Sequence, residues 1–279
     1  MGLLLGAIAA FLFGASDVVA ASASRTDKPV SVTRTALLVS LVFTPLFLWL
    51  KPFDLSALDI VYSLLSGVAI GTALLVVYIG YTKAPIGMVA PVASVLTAVV
   101  PVVVDIGRGN GLSLVAGAGV AVGVGAVALC TYQPSGGENA GKMRTALSVG
   151  SVAGVCFGFA FVLLALTRED AGLAPVPLQR LSGLLFLFLV HPLVRAPWFA
   201  LVNPGRRLAI RVGLIAGLAM GALQLAYRYG DAGPVSVAAS QFAAAAVLIS
   251  AFVNRERLHW WQLVGLALAS VGVGLMAIG

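Results

Sequence analysis

Ten apolar stretches run along the chain, each parted from the next by a short polar cluster or a Gly/Pro break. They cover residues 3–23, 31–50, 58–80, 87–106, 113–132, 145–167, 177–194, 212–227, 233–253 and 259–278. A helix needs about 20 apolar residues to cross the hydrocarbon core of a bilayer, so each stretch predicts one membrane-spanning helix. The breaks carry stop signals. Ser24-Arg25-Thr26-Asp27-Lys28-Pro29 ends the first stretch, Lys51-Pro52 the second and Gly107-Arg108-Gly109-Asn110-Gly111 the fourth. Arg168-Glu169-Asp170 follows the sixth, a longer loop over 195–211 precedes the eighth, and Asn254-Arg255-Glu256-Arg257 closes the ninth. Ala21-Ser22-Ala23 has the form of a signal-peptide cleavage site. No Lys or Arg precedes it and the apolar stretch is long for such a peptide, so it reads as a retained first helix.

The most polar segment, Gln133 to Arg144, falls in the middle, with five stretches on either side. It divides the chain into 1–132, a linker over 133–144, and 145–279. The two halves answer each other. Phe13-Gly14 is matched by Phe157-Gly158 and Arg34 by Arg180, while an offset of 148 aligns Tyr81 with Tyr229, Ala84 with Ala232, Ala90 with Ala238 and Gly117 with Gly265. A unit with an odd number of crossings must place its second copy upside down. Inverted repeats, with the site near the midplane at the repeat interface, are a common transporter plan. The predicted fold is therefore all-α: ten transmembrane helices as two inverted five-helix repeats.

Composition sharpens this. Apolar residues make up 60% of the chain and charged residues 10%, with a mean hydropathy of +1.06. Soluble domains average about 45–50% and about 25%, so a soluble or a disordered chain is excluded. The net charge is +7, but the basic residues are spread over many short loops and form no stripe. The expected surroundings are the lipid bilayer of a plasma or inner membrane, and no nucleic acid partner is expected. Eleven Lys and Arg fall in odd-numbered loops and four in even-numbered ones, with Arg34 and Arg180 set inside spans. That bias puts the odd loops in the cytoplasm and both termini outside. Cys130 and Cys156 lie in apolar runs, and His191 and His259 stand alone, so neither a metal nor another cofactor is expected. No phosphate-binding Gly-x-x-x-x-Gly-Lys-[Ser/Thr] occurs and no acid/base or nucleophile cluster is visible, which argues against an enzyme.

A few residues stand out against this background. Gly150, Gly154 and Gly158 recur every fourth position, as do Gly213, Gly217 and Gly221, and Gly67/Gly71 and Gly119/Gly123 repeat the spacing. Small residues at that interval let helix backbones approach in lipid, where no hydrophobic force drives helices together. Asp17 lies inside the first span, where insertion scales charge a carboxylate about 2.5–3.5 kcal/mol. Its alternatives are a proton- or substrate-coupling acid, an ion pair with Arg34 on the next helix, or a hydrated group near the interface. Arg34 and Arg180 suit helix anchoring or, alternatively, reception of a substrate anion. Pro91 and Pro101 interrupt the fourth span and are either static kinks or hinges.

These features resemble the EamA family of the drug/metabolite transporter superfamily. The resemblance rests on the Phe-Gly of each first helix, the Arg of each second helix, the run from Ala90 to Pro101 with its counterpart over 238–250, and the turn at 254–258 followed by the Gly-rich Gly265 to Gly274. It covers essentially the whole chain. The first half departs from the family in carrying Arg108 where an acid is usual, and the second carries Ile249 where Pro101 would repeat. The resemblance implies a secondary carrier of amino acids, related metabolites or toxic organic compounds, usually exporting them by alternating access. A coupling proton or cation would be a further partner, and the protein would act as a monomer or homodimer. The third, fourth, eighth and ninth spans would line the cavity, with Tyr78, Gln224, Tyr227 and Gln241 as polar contacts or, alternatively, the glutamines as interhelical hydrogen-bond partners and the tyrosines as interfacial anchors. Members usually keep both termini in the cytoplasm, opposite to the charge bias. A lipid or nucleotide-sugar carrier and a non-transporting scaffold or sensor are the competing functions.

Overall fold

The structure, a computed structural model, describes residues 1–107, 113–131, 137–194, 196–230, 235, 238–253 and 259–278. Its regular elements there are all helical: α1 (Gly2–Thr26), α2 (Pro29–Phe43), α3 (Ala57–Lys83), α4 (Ile86–Gly107), α5 (Leu114–Thr131), α6 (Gly137–Ala165), α7 (Pro175–Leu189), a short α8 (His191–Val194), α9 (Gly205–Tyr229), α10 (Phe242–Val253) and α11 (Trp260–Ile278). A 3-10 segment, Thr44–Leu50, prolongs α2. Among the described residues six helical segments are long and apolar enough to cross a membrane, and four shorter apolar helices accompany them.

The distribution of polarity is inverted relative to a soluble protein. Leu4, Phe11, Leu189 and Phe252 are well exposed on the outside, whereas Asp17, Arg34, Asp59, Gln179, Arg180 and Gln224 are buried. An apolar exterior around an ionic interior is unstable in water and suits a helical membrane protein.

Because lipid tails are as apolar as leucine, helix docking depends on close backbone approach and interhelical hydrogen bonds. The glycine series supply the first. α6 presents Gly150, Gly154 and Gly158 to α4, with Gly154 against the Ala93 carbonyl. α9 presents Gly213, Gly217 and Gly221 to α2 and its 3-10 extension, meeting Ala36, Ser40 and Phe47. α5 and α11 interlock through Gly119 and Gly272. α1 runs along α9 and α10, α6 along α3 and α4, and α3 along α7. Hydrogen bonds tie the α3–α6–α7 group: Ser66 Oγ donates to the Ala160 carbonyl at 2.7 Å, Gln179 Nε2 to Ser66 Oγ at 2.7 Å, and Ser182 Oγ to the Leu64 carbonyl at 2.7 Å.

Some boundaries differ from the sequence reading. α9 begins at Gly205, so the expected loop over 195–211 ends early, and Arg206, Arg207 and Arg211 are helical. α6 begins at Gly137, which takes most of the expected linker, residues 137–144, into a helix. Polar residues mark where a helix leaves the apolar layer, not where it unwinds. The second span is a helix for only its first part and then tightens to 3-10 after Phe43. Arg108, Arg195, Gly233, the turn at 254–258 and residues 133–136 lie outside the described residues.

Candidate functional site

A narrow cavity of about 400 Å³, its open side included, lies between α1, α3, α6, α7, α9 and α10. α1 contributes Phe13, Ser16 and Asp17, α3 Ile70 and Leu74, α6 Phe157 and Phe161, α7 Arg180, α9 Ala216 and Met220, and α10 Phe242. The rings of Phe13 and Phe161 stack at 6.0 Å, and Phe157 lies 5.9 Å from Phe242, forming an aromatic wall. The Phe-Gly pairs of the sequence explain two of these positions. Gly14 packs against Ala245 and Ala246, and Gly158 packs against Val100, while the preceding Phe of each pair turns to the cavity. Successive helical residues are about 100° apart, so one residue docks the helix and the other furnishes the wall.

Asp17 sits nine residues before the end of α1, about 13 Å along its axis, deeper than the end of the apolar stretch predicted. Tyr81 Oη donates to its Oδ2 at 2.9 Å. Tyr78 packs beside Tyr81, their rings 6.4 Å apart. Arg180, on the opposite wall, is 1% exposed. Its Nη2 makes one long bond, 3.4 Å, to the Ala216 carbonyl, and its Nε has no partner. Among the described residues neither Asp17 nor Arg180 belongs to a salt bridge.

The pairing of Asp17 with Arg34 is not formed. Arg34, although also fully buried, is turned to the end of α7. Its Nε and Nη2 donate to the Leu187 carbonyl at 3.2 and 2.7 Å, its Nη1 lies 3.0 Å from His191 Nδ1, and its guanidinium lies 5.5 Å from the Trp198 ring. The last carbonyls of a helix lack intrahelical partners and form the negative end of its dipole, so a guanidinium there is well placed. Arg34 is six residues into α2 and Asp17 nine from the end of α1, so they stand at different depths. Trp198 stacks on His191 with ring centroids 3.5 Å apart.

Arg34 and Arg180 thus occupy the same sixth position of their helices in unlike surroundings. Arg34→Gln is expected to lower the thermal midpoint in detergent, since it strips the Leu187 carbonyl of its partner at about 1–3 kcal/mol. Arg180→Gln should leave the midpoint unchanged or raise it, because it removes a buried charge with little compensation. A thermal-denaturation series on the two variants tests this; equal losses would contradict the assignment.

One end of the bundle is cross-tied. Asp59, 1% exposed in its side chain, accepts from the Ser56 N–H and Oγ in a capping box, and from the Arg168 N–H at 2.8 Å and Nε at 3.0 Å. The hydrogen bond that Arg168 donates to Asp59 holds its guanidinium above the ordinary range. Arg228, at the end of α9, donates to the carbonyls of Gly172 and Thr167 and to Thr167 Oγ1. Gly172 holds a positive φ of 53°, which lets the turn after α6 present that carbonyl. Gln224 joins here, its Nε2 3.2 Å from Thr167 Oγ1, and so serves this end and not the cavity wall.

Of the other candidates, Tyr78 and Tyr227 are buried in the core, and neither lines the cavity. α4, expected to line it, contributes no side chain. Pro91 and Pro101 lie within α4 and remove the hydrogen bonds that the Gly87 and Thr97 carbonyls would accept. A Cβ on Gly158 would stand 3.0 Å from the Thr97 carbonyl, so that freed group faces α6. Gln241 sits at a turn just before α10, and Ser94 Oγ donates to the Ser240 carbonyl at this break at 2.7 Å. Sequence reasoning missed Tyr81 and Asp59 as partners; an acid in an apolar run signals that a donor must exist, but not where in the chain it lies.

No family model and no curated protein matches the sequence. Among solved structures, 22 chains match, and one crystal structure superposes with a TM-score of 0.68 at 14% identity, over 99% of this chain and 96% of that one. At that identity the likeness is one of fold alone. Fold and polarity together define a helical chain of the membrane-protein type.

Proposed function

We propose that this chain is a secondary transporter of small organic solutes, a member of the drug/metabolite transporter superfamily of EamA type. It crosses the plasma or inner membrane ten times as two inverted five-helix repeats. The observation that carries this reading is the cavity: Asp17 from the first half and Arg180 from the second stand on walls built by helices of both halves. The helix pairings support the repeat. Exchanging the halves turns the α1–α9 contact into α6–α3, α1–α10 into α6–α4, and α2–α9 into α7–α3, all of which occur. The break at Gln241, directly before the cavity residue Phe242, is also in keeping with carriers, whose sites adjoin interrupted helices.

On this reading the cavity is reached alternately from each side. The Asp59–Arg168 and Arg228–Thr167 ties would separate whenever it opens at their end. The chain has no nucleotide-binding signature, so a gradient supplies the driving force. The test is counterflow in proteoliposomes: preloaded pooled metabolites should exchange with labelled external solute, at a rate altered by an imposed pH gradient if a proton is coupled. Failure of every pool to exchange would favour the scaffold reading.

A further inference from the structure

We infer that Arg180 receives a carboxylate of the transported solute, whose apolar, aromatic-sized body lies against Phe13, Phe157, Phe161 and Phe242. This deepens the transport reading and rests on it. A guanidinium carries five N–H donors in a planar fork that matches a carboxylate edge to edge. At Arg180 the described residues occupy this fork with a single 3.4 Å contact, leave Nε unpaired, and supply no counter-ion. Arg34 shows the alternative in the same protein, a buried guanidinium with three short contacts that does not line this cavity. A charge buried without partners is strongly unfavourable, and Arg180 lines a cavity from which a ligand could complete its bonds.

The remaining wall limits the ligand further. Asp17 faces the same cavity, so the site has one positive and one negative group and repels a multiply charged anion. A phosphate dianion or nucleotide is thereby disfavoured. A cation without a carboxylate would leave Arg180 unsatisfied and meet its repulsion. A monocarboxylate fits, and so does a zwitterion whose ammonium turns to Asp17; both share the group that Arg180 reads.

The test is titration calorimetry on the full-length protein in detergent with three probes that share a phenyl ring: phenylacetate, phenylalanine and phenethylamine. One or both acids should bind and the amine should not; which acid binds separates the simple acid from the zwitterion. Arg180→Gln should raise the Kd of the acid by at least about tenfold. If that variant is not recovered folded, Arg180→Lys should weaken acid binding severalfold, since it keeps the charge and loses the fork. Binding of the amine as tight as that of the acids, an unchanged Kd in both variants, or no acid binding by the unmodified protein would overturn the inference. Arg180-dependent acid binding without counterflow in liposomes would retain this site and remove the transport reading. Counterflow confined to amines would do the reverse.

Discussion

Counterflow by Asp17→Asn is expected to drop by up to about 100-fold while the protein remains folded. Asp17 is buried at 6% exposure on the cavity wall, with the Tyr81 hydroxyl as its hydrogen-bond donor. Asparagine is nearly isosteric and its carbonyl oxygen still accepts from Tyr81, so packing and that bond survive. What disappears is the negative charge. A charge-assisted contact to a substrate ammonium, or a proton carried across, is worth up to about 3 kcal/mol, or roughly two powers of ten in rate. Tyr81→Phe, which removes the donor but keeps the carboxylate, should have a smaller effect. The decisive measurement is initial exchange rate against external pH for all three proteins. An Asp17→Asn protein that exchanges at the unmodified rate with the same pH profile would exclude Asp17 from the transport cycle.

Gly67→Leu should yield little or no monodisperse protein, the largest structural effect expected in the chain. A Cβ on Gly67 would run into the Gln179 carbonyl and stand 2.7 Å from the Ser182 Cβ, and one on Gly183 would stand 2.7 Å from the Gly67 carbonyl. These obstacles are mostly backbone, which cannot rotate away as a side chain can. Overpacking of even one or two methylenes costs typically 1–3 kcal/mol, and here α3 would have to lift from α7. That would also break the Gln179–Ser66 and Ser182–Leu64 hydrogen bonds and shift Arg180, one residue from Gln179. Gly125→Leu is the control, because nothing lies within 4 Å of a Cβ there. Size-exclusion profiles of the detergent extracts should separate the two. A Gly67→Leu protein as monodisperse and heat-stable as the Gly125→Leu protein would refute the close-packing account.

The all-helical fold could be read from the apolar stretches because lipid imposes a length on each helix and forces its backbone to satisfy its own hydrogen bonds. The glycine spacings could be read for a related reason: a four-residue interval puts small residues on one stripe, and Gly150, Gly154 and Gly158 indeed all meet α4. Partner choice could not be read. Arg34 and Arg180 hold matching positions in the sequence, yet one caps α7 while the other faces the cavity. The difference is made by what stands opposite: His191 lies near the end of the seventh predicted span and Trp198 in the loop predicted after it, and neither position names a partner for Arg34. Asp17 was visible as an acid in an apolar helix, but its donor Tyr81 lies 64 residues away on α3. Gln224 and Gln241 looked alike in sequence; one is fastened to Thr167 and the other stands at a turn.

The inverted polarity has a consequence for how this molecule tolerates change. Leucines such as Leu4 and Leu189 look outward, so exchanging them for other oily residues alters little. Ala9, Ala20, Ala73, Ala153 and Ala219 are wholly enclosed, and there even one added methyl group has nowhere to go. The mutational fragility of the protein is therefore concentrated in its smallest side chains, the opposite of a water-soluble enzyme, whose weak points are the bulky residues at its centre.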